Sequence, residues 1–341
     1  MEISDHEISH HPTTVRRLLS GGRRTAIFAL LPTCNCECVM CDMWKQAKTR
    51  ISLETAKQVL DFLSENGFVG TYFTGGEPTL HPDLVEIVRY ASSLGMFSSM
   101  TTNGTASHKV IRELKQAGLR MLSVSLDHWD DSVCEKIRGF KDIKKREEAT
   151  IRFAKEIDLN VYALAFLNPI LIRDGVEHLI EYVNSQLEVP FGFCYPTSCD
   201  LNSYKLGGLI TEEMISANAD RAVETIMEMK KKGYEIANPF QYIHEAIRFG
   251  KNEPPEHYCK GGEYVVYIDW RTNVYPCFRK AKLFNIASGG TPHFLKNVQC
   301  NECLINCFRE PSLLPQILTS PKLAYRELRY SRKGTLKLIT S

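Results

Sequence analysis

Three cysteines, Cys34, Cys38 and Cys41, are spaced C-x3-C-x2-C. Three thiolates can hold three irons of a [4Fe–4S] cluster and leave the fourth iron open to a ligand. Zinc competes for such a group, but structural zinc sites use four ligands, commonly in paired C-x2-4-C spacing. Cys36 falls between the three and reads as a spare thiol of the same loop. A second group follows later in the chain: Cys259, Cys277, Cys300, Cys303 and Cys307, the last three spaced C-x2-C-x3-C. Four thiolates of these five could complete another cluster, with structural zinc as the alternative. The chain has 12 cysteines and no apolar signal segment, so their clustering points to metal rather than to disulfides. Cys134 lies apart from both groups and reads as structural.

The elements that must position these thiols follow from periodicity. Apolar runs predict six strands, at Ala26–Thr33, Gly70–Thr74, Phe97–Thr102, Leu119–Asp127, Asn160–Leu167 and Phe191–Pro196. Between them lie helical patterns. In Ser52–Asn66 the residues Ala56, Val59, Leu60 and Leu63 share one face, and in Pro82–Leu94 so do Leu84, Ile87, Val88 and Ala91, with Pro82 in the first turn. Strands alternating with helices imply a parallel sheet wound by right-handed crossovers. The expected fold is α/β: a six-unit (β/α)6 partial TIM barrel with a small C-terminal cysteine-rich auxiliary-cluster domain. The pattern stops near Gly233, short of the roughly 250 residues of a closed eight-unit barrel. The expected boundaries are an N-terminal extension over 1–25, the barrel over 26–235, the cysteine-rich domain over 236–320 and a basic tail over 321–341. Lys322, Arg326, Arg329, Arg332, Lys333 and Lys337 of that tail read as a solvated helix face. Cys34–Cys41 follow the first strand at its C-terminal end, where such folds place active sites.

Composition excludes several classes. Of 341 residues, 43% are hydrophobic and 24% charged, with a net charge of +2. Nothing in that balance argues for nucleic acid as a partner. No apolar run approaches the ~20 residues of a membrane span. The opening MEISDHEISHHPTT lacks the apolar core of a secretion signal, so the expected location is cytoplasmic.

Four further motifs stand in order at the ends of the second, third and fourth strands and just beyond: Gly75-Gly76-Glu77-Pro78, Thr101-Thr102-Asn103-Gly104, Ser125-Leu126-Asp127 and Arg138-Gly139. With the C-x3-C-x2-C group they resemble the radical S-adenosylmethionine (SAM) superfamily over residues 26–200. The resemblance implies two cofactors, SAM and a catalytic [4Fe–4S] cluster. In that family the open iron chelates the methionine moiety, an electron from the cluster breaks the S–C5′ bond, and the 5′-deoxyadenosyl radical takes a hydrogen atom from substrate. By the same resemblance Gly75 and Gly76 let the backbone approach a ligand, and Glu77 of the Glu77-Pro78 step helps hold the methionine ammonium. Thr102 and Asn103 line the pocket, Ser125 and Asp127 lie near the ribose hydroxyls, and Arg138 pairs with the methionine carboxylate. Met40 departs from the pattern, since the residue before the third cysteine is often aromatic. Cys194, Tyr195 and Cys199, at the end of the sixth strand, are expected to face the same pocket. Either cysteine could donate a hydrogen atom to a substrate radical and Tyr195 could stack on substrate; packing is the plainer reading of each.

Around Tyr267–Cys277 the chain resembles the small hairpin of twitch and SPASM domains, the auxiliary cluster domains of this superfamily. Thr272-Asn273 stand where that hairpin usually has a glycine, and Asn tolerates a left-handed turn. Five cysteines favour a twitch-like domain with one auxiliary [4Fe–4S] cluster. Cys259, Cys277, Cys300 and Cys303 fit that arrangement best, with Cys307 left over or replacing one of them. Such a cluster accepts an electron from the substrate radical, orients substrate or holds the domain together. The substrate is expected to be a small sugar-, nucleoside- or lipid-like molecule. Peptide-modifying members often carry an N-terminal peptide-binding domain, and here the first strand begins near Ala26. A ribosomal peptide as substrate is the alternative, and a non-catalytic zinc or iron–sulfur protein a remote one. A low-potential electron donor such as flavodoxin or ferredoxin is the implied partner.

Overall fold

The structure is a computed structural model, and it describes residues 24–199, 201–205, 212–289 and 291–330. Most of the N-terminal extension, and Arg332, Lys333 and Lys337 of the basic tail, lie outside the described residues. Six strands appear where the apolar runs predict them: β1 (Arg24–Ala29), β2 (Phe68–Thr74), β3 (Phe97–Thr102), β4 (Leu119–Ser125), β5 (Asn160–Phe166) and β6 (Phe191–Cys194). They pair in parallel in the order β6-β5-β4-β3-β2-β1. Helices α1 (Leu53–Glu65), α2 (Leu84–Ser93), α3 (His108–Gln116), α4 (Asp131–Arg138), α5 (Ile143–Glu156), α6 (Pro169–Asp174) and α7 (Val176–Tyr182) make the crossovers. Side-chain caps start four of them: Ser52, Ser107, Asp130 and Asn168 each accept a backbone N–H of the first turn. Pro82 falls outside its helix, because Asp83 is the N-cap and α2 begins at Leu84. The faces read from periodicity are buried, including Leu60, Leu63, Ile87 and Val88.

Strand alternation sorts the remaining side chains. Register pairs Tyr162 with Ser123 and Cys194 with Phe166. Tyr72, Thr101 and Ser123 are hydrogen-bonded in series across β2, β3 and β4, so these residues share one face of the sheet. Gly192 makes room there, since a Cβ would sit 2.9 Å from the Tyr162 ring.

The sheet continues past β1. After α8 (Glu212–Lys232) and α9 (Phe240–Gly250), β7 (Val265–Ile268) pairs in parallel with β1. Then β8 (Asn273–Tyr275) and β9 (Phe284–Asn285) add antiparallel strands, giving nine among the described residues. The left-handed residue of the β7–β8 turn is Thr272, at φ 63°, rather than Asn273. Asp269 over-determines that turn: its carboxylate accepts from the N–H groups of Arg271 and Asn273 and from Asn273 Nδ2. The chain ends its described part in α10 (Asn306–Thr319) and α11 (Pro321–Tyr330). Glu327 of α11 is buried and accepts the first N–H groups of α9, from Phe240 and Gln241. Among the described residues no helix is long and apolar enough to cross a membrane.

Candidate active site

The loops after β1, β2 and β3 are laced into one unit around Cys34. Glu77 is the knot. Its Oε1 accepts from Thr79 N, Thr79 Oγ1 and Thr102 Oγ1, and its Oε2 accepts from Asn103 N at 2.7 Å. Burial pushes this carboxyl above its usual range, and those hydrogen bonds pull it back. Pro78 is buried and opens a single 3-10 turn to Leu80. Asn103 then reaches the cysteine loop: its Nδ2 donates to Asn35 Oδ1 at 2.8 Å and lies 3.2 Å from Cys36 Sγ and 3.9 Å from Cys34 Sγ. The two glycines serve this lacing. A Cβ on Gly75 would lie 2.3 Å from Leu31 O, and one on Gly76 2.2 Å from Thr33 O. The close approach at this turn is to the backbone leading into Cys34.

Cys36 is no loose thiol. It is buried, and its hydrogen bond to Cys34 draws Cys34 below the ordinary thiol range while driving Cys36 up. Burial pushes Cys38 up to about 11 and Cys41 to about 12. All three predicted ligands come together, each among the charges that act on another. Metal binding must strip these thiols of protons, so loading favours high pH.

The far wall is α4. Val39 N donates to Ile137 O, and Gly139, left-handed at φ 61°, caps the helix where a Cβ would strike Glu37 O at 2.7 Å. Arg138 reaches Cys38 with Nη1 at 3.8 Å. Its Nε lies 2.6 Å from Asp127 Oδ2 and 3.9 Å from Glu147 Oε1. Asp127 Oδ1 meanwhile accepts Phe166 N, and Ser125 lies buried two residues before it, at the end of β4. Asp127 and Arg138 thus hold one another. Glu147 on α5 was not foreseen. It is fully buried, and burial raises its carboxyl well above the usual range. Its signal was a charge set among Ile143, Thr150, Ile151 and Ala154 on the buried face of a helix. Arg138→Gln leaves the Asp127 charge buried without a cation, a change that costs about 3–5 kcal/mol. Urea unfolding of the variant beside wild type measures it, and a loss below about 1 kcal/mol, the range of exposed pairs, contradicts this account.

Four cysteines of the second group also converge. Cys259 N donates to Cys300 O at 3.0 Å. Cys259 Sγ and Cys277 Cβ flank Gly261, each 3.7 Å from where its Cβ would be. Burial raises Cys259 to about 11 and Cys277 to about 12, with Cys300 and Cys303 adding to both. Arg309, unforeseen and buried, straps the site: Nε donates to Cys303 O, Nη1 to His257 O, and Nη2 to Asn301.

Cys307 belongs elsewhere. It faces Cys194, Glu310 and Cys199, and Asn306 beside it hydrogen-bonds Cys194. Glu310, held by Asn238 Nδ2 and pushed up to about 8 by burial, completes this corner. Tyr195 lies away from it: its hydroxyl donates to Asp220 of α8 and its ring meets Phe249 of α9 edge-on. A strap over residues 201–205 joins the two cysteine groups. Cys41 Sγ and Asp42 N both donate to Lys205 O, Asn202 Nδ2 donates to Cys277 O, and Tyr204 stacks on Phe278 at 3.8 Å.

A family model described as the Radical SAM superfamily matches residues 29–183. The chain is 25% identical over 134 residues to a PqqA peptide cyclase of Bradyrhizobium diazoefficiens, covering 39% of this chain and 34% of that protein. It is 25% identical over 238 residues to an Fe-coproporphyrin III synthase of Methanosarcina barkeri, covering 68% and 58%. The chain therefore spans a third to under two thirds of these relatives. In fold it is similar to SuiB of Streptococcus suis. With S-adenosylmethionine bound, that structure gives a TM-score of 0.61 at 13% identity over 93% of this chain and 71% of that one. With the precursor peptide SuiA bound, the score is 0.59 at 12% identity over 93% and 70%. The laced cysteine loop and the family match agree over one stretch of the chain: residues 29–183 match the radical SAM superfamily.

Proposed function

We propose that the enzyme takes a hydrogen atom from a residue of a peptide substrate and oxidises it, with an auxiliary [4Fe–4S] cluster on Cys259, Cys277, Cys300 and Cys303. Bound to Cys34, Cys38, Cys41 and the second group, SAM and two clusters would supply the radical oxidant and an electron acceptor. The chain's own residues set the rest. Arg138, the cation on the Cys38 side of the site, is the group suited to a methionine carboxylate. Asn103 orients the cysteine loop. Tyr72, Thr101, Ser123, Tyr162, Cys194, Cys307 and Glu310 neighbour one another beside the sheet, where substrate would react, and Glu310, near neutrality, can take the proton released on oxidation. Flavodoxin or ferredoxin suits the low-potential electron supply.

The likeness to PqqA peptide cyclase carries the peptide reading, against the first expectation of a sugar-, nucleoside- or lipid-like substrate. The small-molecule reading is supported by the longer match to Fe-coproporphyrin III synthase. Anaerobically reconstituted protein is expected to hold about eight irons and eight sulfides per chain and to form 5′-deoxyadenosine with SAM and dithionite. Cys303→Ala is expected to drop iron to about four while 5′-deoxyadenosine still forms. Short peptides encoded beside the gene, assayed by mass spectrometry, should lose two hydrogens. Unchanged peptides with a converted coproporphyrin would instead establish the small-molecule reading. Zinc without iron, and no 5′-deoxyadenosine, would defeat both.

A further inference from the structure

Three side chains outside both cysteine groups converge where α9 meets the loop leading to Cys259. His244 and Glu245 are consecutive on α9, and Glu256 comes from the loop. One ligand atom from each lies within 4.8 Å of the other two, and His244 Nδ1 is 4.0 Å from Glu256 Oε2. Glu245 is 2% exposed. Its Oε1 accepts from Gln241 Nε2 at 3.3 Å and His257 N at 3.2 Å. Its Oε2 is buried without a hydrogen-bond partner, and so is His244 Nδ1. Arg326 donates to Gln241 Oε1, which turns the Gln241 amide nitrogen toward the carboxylates, 3.1 Å from Glu256 Oε2. One amide therefore holds two carboxylates together, and like charges so placed repel. Arg248 offsets this in part. Its Nη1 is 3.8 Å from the other Glu256 oxygen but closer, at 3.1 Å, to Glu253, and its Nε and Nη2 donate to Pro254 O.

We propose that His244, Glu245 and Glu256 bind a divalent transition-metal cation of the Mn²⁺, Fe²⁺ or Zn²⁺ class. One imidazole and two carboxylates suit such ions, whereas Mg²⁺ and Ca²⁺ prefer oxygen alone. The cation balances the two carboxylates and gives the orphaned Glu245 Oε2 and His244 Nδ1 a partner. Burial holds His244 below its ordinary range, so the imidazole is neutral and able to ligate. The ion pins the loop to α9 three residues before Cys259, at the entrance to the second cysteine group.

The test uses the fully reconstituted enzyme, whose thiols are already occupied, titrated with Mn²⁺ under argon while EPR follows the free ion. A single saturable Mn²⁺ per chain is expected, displaced by Zn²⁺. Glu256→Gln and His244→Gln should each weaken it at least about tenfold, the smallest loss typical of disturbing even an outer-shell partner. Unchanged iron and sulfide in these variants shows that they fold. No saturable binding by wild type, or equal affinity in Glu256→Gln, overturns the proposal.

Discussion

Cys38→Ala is expected to bring 5′-deoxyadenosine formation to background, with Cys36→Ala as the contrasting control. Cys38 is buried and faces Arg138, and the one further thiol of its loop, Cys36, is held by Cys34 and Asn103. Its loss leaves two thiolates for a cluster that needs three from the chain. Cys36 differs in kind. Its thiol hydrogen-bonds Cys34 and takes a hydrogen bond from Asn103. That is the position of a group that orients a ligand, whose removal costs about 10- to 100-fold in affinity or activity. Chromatography of the products, beside iron analysis, separates the cases. Product from Cys38→Ala, or none from Cys36→Ala at full iron content, would reverse the two roles.

Gly76→Ala is expected to do nearly as much damage without touching a ligand. The added methyl would meet Thr33 O at 2.2 Å, Pro32 O at 2.3 Å and Thr33 C at 2.4 Å, all backbone atoms. No side chain can swing aside there, so the segment before Cys34 must move. Gly76 N and Glu77 N donate to Leu31 O and Thr33 O, and these bonds break as it does. Overpacking of this sort typically costs about 1–3 kcal/mol and occasionally more. The functional cost is larger, because Cys34 follows Thr33 directly. The variant should fold, hold about four irons on the second group, and form no 5′-deoxyadenosine. Gly67→Ala is the control: at φ 75° it strains the backbone, but its Cβ meets nothing within 4 Å, so it lacks the clash while carrying a glycine-to-alanine cost. Full iron and normal product from Gly76→Ala would show that the turn tolerates what its geometry forbids.

The buried acids point to pH as a further handle. Glu310 is raised in the folded state, to about 8, so the folded chain binds the extra proton. Its contribution is fully present below the usual carboxylate range and is lost as pH rises through about 8. Glu310→Gln should therefore flatten the fall in thermal stability between pH 5.5 and about 8. An unchanged slope would show that Glu310 ionises normally.

The strands, the first two helix faces and both cysteine groups could be read in the sequence because their signals are local. A period of two or 3.6, or a ligand spacing of a few residues, lies within one element. Contacts between elements carry no such mark. That β7 joins β1, and so continues the barrel sheet into the cysteine-rich region, depends on pairing residues some 240 positions apart. Which four of five cysteines come together was open in the sequence. In the fold α10 starts at Asn306 and Cys307 faces Cys194 and Glu310, apart from the Cys259–Cys300 contact. Gly75 and Gly76 were legible as close-approach residues, but their neighbour proved to be the chain itself. Asp127, Arg138 and Glu147 come from the loop after β4, from α4 and from α5, and their pairing is set by how those elements pack. The sequence by itself determined the chemistry this protein can hold, because thiol spacing and strand-end motifs are covalent facts. Only the tertiary structure decided which groups meet, because burial, register and approach distance arise when distant segments exclude water from one another.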